Sequence, residues 1–203
     1  MKLKLDKNTL AIRAALESDE QFGAVIPQIH ITSTFAYKQI GVEQQYDYTR
    51  TANPTRDALA EAVSILEGGY GATVTGSGMA AISLVTALLD PNDHVLIPHD
   101  CYGGTFRLFS RLAERGLLQV KFIDQSNLNL LKQSIDQYQP KIVWIETPSN
   151  PLLRVVDIQA ISAILHQNNT LLVVDNTFLT PIFQTPFKLG ADLVIHSTTK
   201  YIN

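Results

Sequence analysis

The sequence predicts an α/β fold in which a mostly parallel sheet carries helices on both faces. Short apolar runs recur along the chain, and segments with helical periodicity lie between them. The 203 residues are 45% apolar and 17% charged, which is sufficient for a buried core. Strands that alternate with helices are typical of a parallel sheet whose crossover connections are helical.

The beginning of the chain lacks this alternation. Its apolar residues follow no sustained period; they are Phe22, Val25, Ile26, Phe35, Tyr37, Tyr46 and Tyr48. We therefore interpret residues 1–52 as an extended arm that docks on another surface, and residues 53–203 as the main domain. A helix is expected from Pro54 onward, because Asn53 can cap it, Pro54 suits its first turn and Gly68 can end it.

The alternation itself begins after this helix. Six strands are predicted at 72–75, 94–98, 120–123, 142–145, 171–175 and 193–197. Helices are predicted between them at about 79–89, 105–115, 128–138 and 158–167, the last capped by Asp157. Ligands of such sheets bind outside the carboxyl ends of the strands, so we expect the functional residues there.

Composition excludes several classes of function. With 16 basic and 19 acidic residues the net charge is −3, which leaves no basic surface for nucleic acid. No apolar run reaches the roughly 18–20 residues of a membrane span, and the first seven residues lack a secretory apolar segment, so we expect a cytoplasmic protein. Cys101 is the only cysteine and the five histidines show no ligand spacing, so no disulfide and no metal site are predicted.

A glycine-rich turn follows the first predicted strand and precedes a helix. Gly76 and Gly78 let the backbone approach an anion, and the helix start offers free N–H groups, so the turn is typical of a phosphate site. The same residues also fit G-x-G-x-x-A, with Ala81 as the last position and Asp100 as a ribose-binding acid. At this point a dinucleotide-binding oxidoreductase domain remains an alternative.

An acid and an amine follow the fifth and sixth predicted strands. Asp175 ends the fifth strand and Lys200 follows the sixth, and their separation of 25 positions allows a crossover to a neighbouring strand. Pyridoxal phosphate needs a lysine for its aldehyde, an acid for its ring nitrogen and a site for its phosphate. A nicotinamide has no need of the lysine, so the combination favours pyridoxal 5'-phosphate.

Six segments resemble the cysteine/methionine-metabolism family of pyridoxal-phosphate enzymes. They are 48–55 (YTRTANPT), 76–81 (GSGMAA), 100–105 (DCYGGT), 146–151 (ETPSNP), 174–178 (VDNTF) and 196–201 (HSTTKY). The resemblance implies the large domain of the aspartate-aminotransferase-like fold, known as fold type I. Family members are about twice as long, so we expect a truncated chain that lacks the C-terminal small domain and is poorly stable or inactive by itself.

The resemblance also implies roles for individual residues. Lys200 would bind the cofactor aldehyde and move protons during catalysis, Tyr102 would stack on the ring as a second catalytic residue, and Asp175 would pair with the ring nitrogen. The full cofactor-binding set would be Tyr48, Arg50, Gly78, Met79, Tyr102, Asn150, Asp175, Thr177, Ser197, Thr199 and Lys200.

Within that set the phosphate would be held by the amides of Gly78 and Met79 and the hydroxyls of Ser197 and Thr199. Asn150 would contact the phenolic oxygen of the ring. Tyr48 and Arg50 would reach the phosphate in a neighbouring subunit, since members are homotetramers, dimers of dimers with shared sites.

Segments 99–104 and 148–157 resemble the branch of the family that replaces the γ-substituent of an activated homoserine ester, such as O-succinylhomoserine, with cysteine. The substrates would thus be small amino acids. Other members cleave cystathionine, use sulfide with O-acetylhomoserine, or release a thiol from methionine, and these reactions remain alternatives.

Overall fold

The computed structural model describes residues 5–16, 19, 21–165 and 169–202. The chain forms two compact units, Met1–Val74 and Thr75–Asn203. The division falls after the helix that begins at Pro54, whereas the sequence suggested an arm that ends at residue 52. The assignment of 1–52 as an intersubunit arm therefore stays a prediction.

The N-terminal unit contains two helices, α1 (Lys7–Arg13) and α2 (Pro54–Glu67). The Asn53 side chain caps α2 by accepting a hydrogen bond from the amide of Thr55, and Gly68 ends the helix in the left-handed conformation, as the sequence predicts. Between the two helices, the described residues form an isolated antiparallel bridge that joins Thr34 to Tyr48.

The C-terminal unit contains the alternating elements. In chain order they are α3 (Gly78–Val85), β1 (His94–Pro98), α4 (Gly103–Glu114), β2 (Gln119–Ile123), α5 (Leu128–Tyr138), β3 (Ile142–Glu146), α6 (Ile158–Leu165), β4 (Leu171–Asp175), α7 (Thr180–Phe183) and β5 (Leu193–Ile195). Short 3₁₀ turns at Thr86–Leu88 and Pro186–Leu189 complete the unit. Asp157 caps α6 through the amide of Ala160, as predicted, and the predicted end of this helix at 166–167 lies outside the described residues.

The sheet is parallel throughout, with strand order β2-β1-β3-β4-β5. The chain passes from β1 to β2 on one side and then returns to β3 on the other side of β1. This reversal places the topological switch point at the carboxyl ends of β1 and β3, where such sheets bind ligands.

Successive strand residues face opposite sides of the sheet and bury two apolar layers. On one side Ile97, Trp144 and Val173 pack with residues of α3 and α4, such as Ile82 and Phe109. On the other side a layer of strand residues packs with α5 and α6: Leu96, Val143 and Val174 meet Leu131, Ile135 and Ile161. Helices therefore cover both faces, as the predicted fold class requires.

One predicted strand is wrong. Residues 72–75, all of which the structure describes, are assigned to no strand. An apolar run shows only that a segment can be extended, and it becomes a strand only where its backbone pairs with a neighbour. Among the described residues, no helix combines the length and the apolarity needed to cross a membrane.

Candidate active site

A cavity of about 390 Å³ opens where β3, β4 and β5 end, and the first turn of α3 forms part of its wall. Nine of the predicted site residues line it: Gly78, Met79, Tyr102, Asn150, Asp175, Thr177, Ser197, Thr199 and Lys200. The structure thus brings Asp175 and Lys200 to one cavity, as their positions after neighbouring strands predict.

The N-terminus of α3 presents backbone N–H donors to the cavity. Ser77 caps the helix by accepting a hydrogen bond from the amide of Ala80 at 3.1 Å. The amides of Gly78 and Met79 belong to the first turn, so no carbonyl within the helix accepts their hydrogen bonds. The hydroxyls of Ser197 and Thr199 line the same cavity, so amide and hydroxyl donors converge with the positive end of the helix dipole.

This convergence depends on the absence of a side chain at Gly78. A Cβ at this position would lie 2.8 Å from the Cβ of Ser197, which is closer than two non-bonded carbon atoms approach in proteins. A Cβ at Gly76 would meet nothing within 4 Å. Gly78 is therefore the glycine that allows α3 to approach the segment after β5, whereas Gly76 has no such constraint.

Asp175 ends β4 and is 8% exposed. Its Oδ1 accepts a hydrogen bond from the amide of Thr177 at 3.0 Å, and the Thr177 hydroxyl accepts one from the amide of Ser197 at 2.9 Å. Burial raises the pKa of the Asp175 carboxyl, although hydrogen bonds from Thr177 and the charge of His196 oppose the rise. A cation placed against this carboxylate would offset the loss of water.

A second buried carboxyl, Glu146, lies beside Asp175, and it is not among the site residues predicted from the sequence. The two residues are register partners at the ends of β3 and β4, and Glu146 is 5% exposed. Burial, followed by the neighbouring charges of Asp175 and Asp100, raises the pKa of Glu146 to about 7. The signal in the sequence is the one that identified Asp175: a carboxylate that directly follows four apolar strand residues.

Tyr102 occupies the N-cap position of α4, and its ring lies over Gly104. A Cβ on Gly104 would come within 2.5 Å of Cε1 of this ring and of the Met79 sulfur. Tyr102 is 40% exposed and lines the cavity, so its side chain is accessible to a ligand.

Asp100, the acid of the dinucleotide alternative, does not contribute to the described cavity lining. Its Oδ2 accepts a hydrogen bond from the Ser149 hydroxyl at 2.6 Å and lies 3.8 Å from Nε of Arg154. These contacts tie the loop after β1 to the loop after β3. In the part of the chain that the structure describes, no three potential metal ligands come together.

Tyr48 and Arg50 lie in the N-terminal unit. The Arg50 guanidinium lies 4.9 Å from the centroid of the Tyr48 ring, and the bridge to Thr34 fixes the backbone of Tyr48. Both side chains are exposed, so they form a cationic and aromatic pair that a ligand or another chain can reach.

Fold and cavity together define a class: an α/β protein in which a lysine, a buried carboxylate and the N-terminus of a helix meet at the carboxyl edge of a parallel sheet. The family model of the Cys/Met metabolism PLP-dependent enzymes matches residues 8–203. The chain belongs to this family, as its motifs predict, and the oxidoreductase alternative is wrong.

Relatives within the family carry out different reactions. The chain is 50% identical to cystathionine gamma-synthase of Escherichia coli K12 and 44% identical to cystathionine gamma-lyase of Dictyostelium discoideum, in each case over 96% of this chain and 50% of the relative. A crystal structure of cystathionine gamma synthase from Xanthomonas oryzae pv. oryzae, in complex with aminoacrylate and cysteine, superposes with a TM-score of 0.94 at 47% identity, covering 98% of this chain and 52% of that one. The chain spans about half the length of these relatives.

The residues present fit the cofactor of the family. The donors at the start of α3 and the close approach at Gly78 suit a phosphate, and the buried Asp175 suits a protonated ring nitrogen. Lys200 supplies an amine within the same cavity. These groups match the three chemical requirements of pyridoxal phosphate.

Proposed function

We propose that this chain supplies the cofactor-binding part of a cystathionine γ-synthase, which converts O-succinylhomoserine and cysteine into cystathionine and succinate. The 50% identity to a γ-synthase and the match to a γ-synthase crystal structure support this choice within the family. In this reaction the cysteine sulfur forms a bond to the γ-carbon, the bond from that carbon to the succinyl oxygen breaks, and the thiol proton is released.

One observation carries the proposal: Lys200, Asp175 and the first turn of α3 line the same cavity. Pyridoxal phosphate, when bound, supplies a sink for the electrons released when a proton leaves the carbon beside an amino group. Lys200 would hold the aldehyde and then, as a free amine, move a proton at the α- and β-carbons of the amino acid.

The remaining lining residues would orient the reacting groups. Asp175, in its ionised form, would stabilise positive charge on the ring nitrogen, and its bond from the Thr177 amide fixes its direction. Tyr102 would cover one face of the ring and exclude water from it. Asn150 would donate a hydrogen bond to the phenolic oxygen.

Covalent labelling tests the proposal. The purified protein is incubated with pyridoxal phosphate, reduced with borohydride and digested, and the modified peptide is identified by mass spectrometry. We expect the label on Lys200 at near-stoichiometric yield, with only background labelling at an exposed lysine such as Lys188. In Lys200→Arg the specific label is expected to disappear. Equal labelling of Lys200 and Lys188 would refute the proposal.

A lyase of the same family is the second candidate, and the 44% identity to a cystathionine gamma-lyase favours it. The two are separated by product analysis of the cofactor-loaded protein. A γ-synthase forms cystathionine and succinate from O-succinylhomoserine and cysteine. A γ-lyase instead consumes cystathionine and water and releases cysteine, ammonia and a keto acid. If neither occurs while Lys200 is labelled, this chain binds the cofactor and requires further residues for turnover.

We also propose that the protein is a cytoplasmic homo-oligomer, a dimer of dimers, in which residues 1–52 contact a neighbouring subunit. The exposed Tyr48 and Arg50 pair supports this, because a guanidinium is suited to a phosphate supplied by another chain. Subunit mixing tests this proposal with two variants, Arg50→Ala and Lys200→Ala. In a mixed oligomer, some sites should combine Lys200 from an Arg50→Ala subunit with Arg50 from a Lys200→Ala subunit. Cofactor labelling of Lys200 should then exceed that of Arg50→Ala alone, and no increase would argue against shared sites.

A further inference from the structure

We infer that Glu146 is the positioning residue for the Tyr102 and Asn150 segments, a role that rests on the proposed cofactor site. Its two carboxylate oxygens hold the backbone of these segments, one oxygen for each segment. Glu146 itself comes from the last position of β3, in the centre of the sheet.

Both oxygens of the Glu146 carboxylate accept a backbone hydrogen bond. Oε2 of Glu146 accepts a hydrogen bond from the amide of Tyr102, and Oε1 accepts one from the amide of Asn150, both at 2.7 Å. Such lengths are typical of bonds to an ionised carboxylate. Tyr102 is 44 positions away in sequence and Asn150 only four, so one side chain joins two separate loops.

No side chain at the N-cap position itself holds the start of α4. Tyr102 is the N-cap residue but makes no side-chain cap hydrogen bond. The carboxylate of Glu146 supplies the negative partner that a helix N-terminus favours and binds the Tyr102 amide directly. The Tyr102 ring also rests over Gly104. Glu146 therefore positions the backbone of Tyr102, and Gly104 leaves the space that its ring occupies.

The second link between the two loops does not replace this one. The Ser149 hydroxyl donates to Asp100, but Ser149 and Asp100 are absent from the described lining of the large cavity. Glu146 is in that lining. It therefore fixes the side of the loops that would face the cofactor ring.

Both bonds require an ionised carboxylate, since a neutral acid carries a proton on one oxygen and can no longer accept well there. The titratable groups that act on Glu146 are Asp175 from β4 and Asp100 from the loop after β1, and the buried Cys101 lies close to it. Lys200 lines the same cavity. Burial and the two aspartates raise the pKa of Glu146 to about 7. We therefore expect the loops to be held less tightly below about pH 7 than above it.

Amide hydrogen exchange tests this inference without the cofactor. In Glu146→Gln the new NH₂ group faces one of the two amides, so the amide of Tyr102 or Asn150 should exchange about 10-fold faster. The amide of Val173 in the core should not exchange faster, and Glu114→Gln on the exposed face of α4 should alter none of the three. Unchanged exchange at both loop amides, or an equal increase at all three, would overturn the inference.

The wild-type protein provides a second measurement. A local opening that breaks these two bonds while Glu146 stays buried removes the donors that lower its pKa. Protection of the Tyr102 and Asn150 amides, corrected for intrinsic exchange, should therefore rise between about pH 6 and about pH 8, while that of Val173 should not. A flat profile at both loop amides contradicts the role. In the cofactor-loaded protein, Glu146→Gln should reduce the visible circular dichroism of the cofactor while Lys200 is still labelled. Absence of the label in the wild type would refute the proposed function but leave the exchange result valid.

Discussion

The two ends of the central sheet use carboxylates in opposite ways. At the amino end, the exposed Asp192 directly precedes β5 and accepts a hydrogen bond from the amide of Leu172 at 2.8 Å. At the carboxyl end, Glu146 and Asp175 are buried side by side, and burial raises the pKa of both. One end completes the backbone hydrogen bonding of the sheet, whereas the other holds two acids beside a cavity.

This difference indicates where the protein sacrifices stability for binding. A buried carboxylate loses its hydration, and like charges in adjacent strands increase the penalty. Such an arrangement is typical of a functional site, because a bound cation or hydrogen-bond donor restores what burial removes. Removing a charge should therefore have opposite effects at the two ends.

The largest expected effect is on the pH dependence of stability at the carboxyl end. The folded pKa of Glu146 is raised from 4.5 to about 7, so the folded state binds the proton more tightly than the unfolded state. The free energy of unfolding should fall as pH rises through this interval, by ~3 kcal/mol from this group. Glu146→Gln should abolish that part of the decrease, measured by urea unfolding of the cofactor-free protein at several pH values.

Glu114→Gln is the matched control, because Glu114 is exposed and pairs with Arg111 on the same helix. It should leave the pH profile unchanged. If the free energy of unfolding of Glu146→Gln varied with pH as it does in the wild type, ionisation of Glu146 would not account for the predicted loss of stability.

The next effect concerns the phosphate site that we propose at the N-terminus of α3. In Gly78→Ala the new Cβ would lie 2.8 Å from the Cβ of Ser197, so α3 must move away from the segment after β5. We expect cofactor affinity to fall about 30-fold, equivalent to about 2 kcal/mol, as measured by equilibrium titration of the cofactor absorbance. Gly76→Ala introduces no contact within 4 Å and should bind normally. Equal affinities of the two variants would contradict the assigned phosphate site.

A smaller effect is expected where the Tyr102 ring rests on α4. Gly104→Ala places a Cβ within 2.5 Å of this ring, whereas Gly103→Ala meets only the end of the Arg107 side chain, at 3.2 Å. Alanine favours the helix at both positions, so stability should not fall for that reason. Gly104→Ala should weaken cofactor binding about 10-fold, while Gly103→Ala should remain close to wild type. The reverse order would show that the ring is not held by this contact.

The strongly patterned elements could be predicted from the sequence. The observed bounds of β1, β4 and α5 are the predicted ones, because each element is a sustained apolar or amphipathic run between clear boundaries. Residues 72–75 have the same apolar character but form no strand, since pairing depends on residues far away in sequence. Local pattern therefore predicts extended structure more reliably than it predicts a place in the sheet.

The cavity was predictable to the extent that its residues follow strands or match the family motifs. Lys200 and Asp175 could be found in this way, because parallel strands bring their carboxyl ends to one edge. The role inferred for Glu146 could not, since it depends on hydrogen bonds to the amides of Tyr102 and Asn150, and backbone amides carry no signal in the sequence. The close approaches at Gly78 and Gly104 likewise emerge only in three dimensions.

The smallest effect is expected at the amino end of the sheet, where a lost carboxylate should lower stability rather than raise it. Asp192→Ala removes the acceptor for the Leu172 amide, but Asp192 is exposed, so water can partly replace it. We expect a loss of about 1 kcal/mol in the free energy of unfolding by urea, and a smaller loss in Asp192→Asn, which keeps a carbonyl oxygen in place. Cofactor affinity should be unchanged in both variants, because Asp192 is at the end opposite the cavity. A gain in stability on removing Asp192 would eliminate the contrast between the two ends, since both would then hold unfavourable charge.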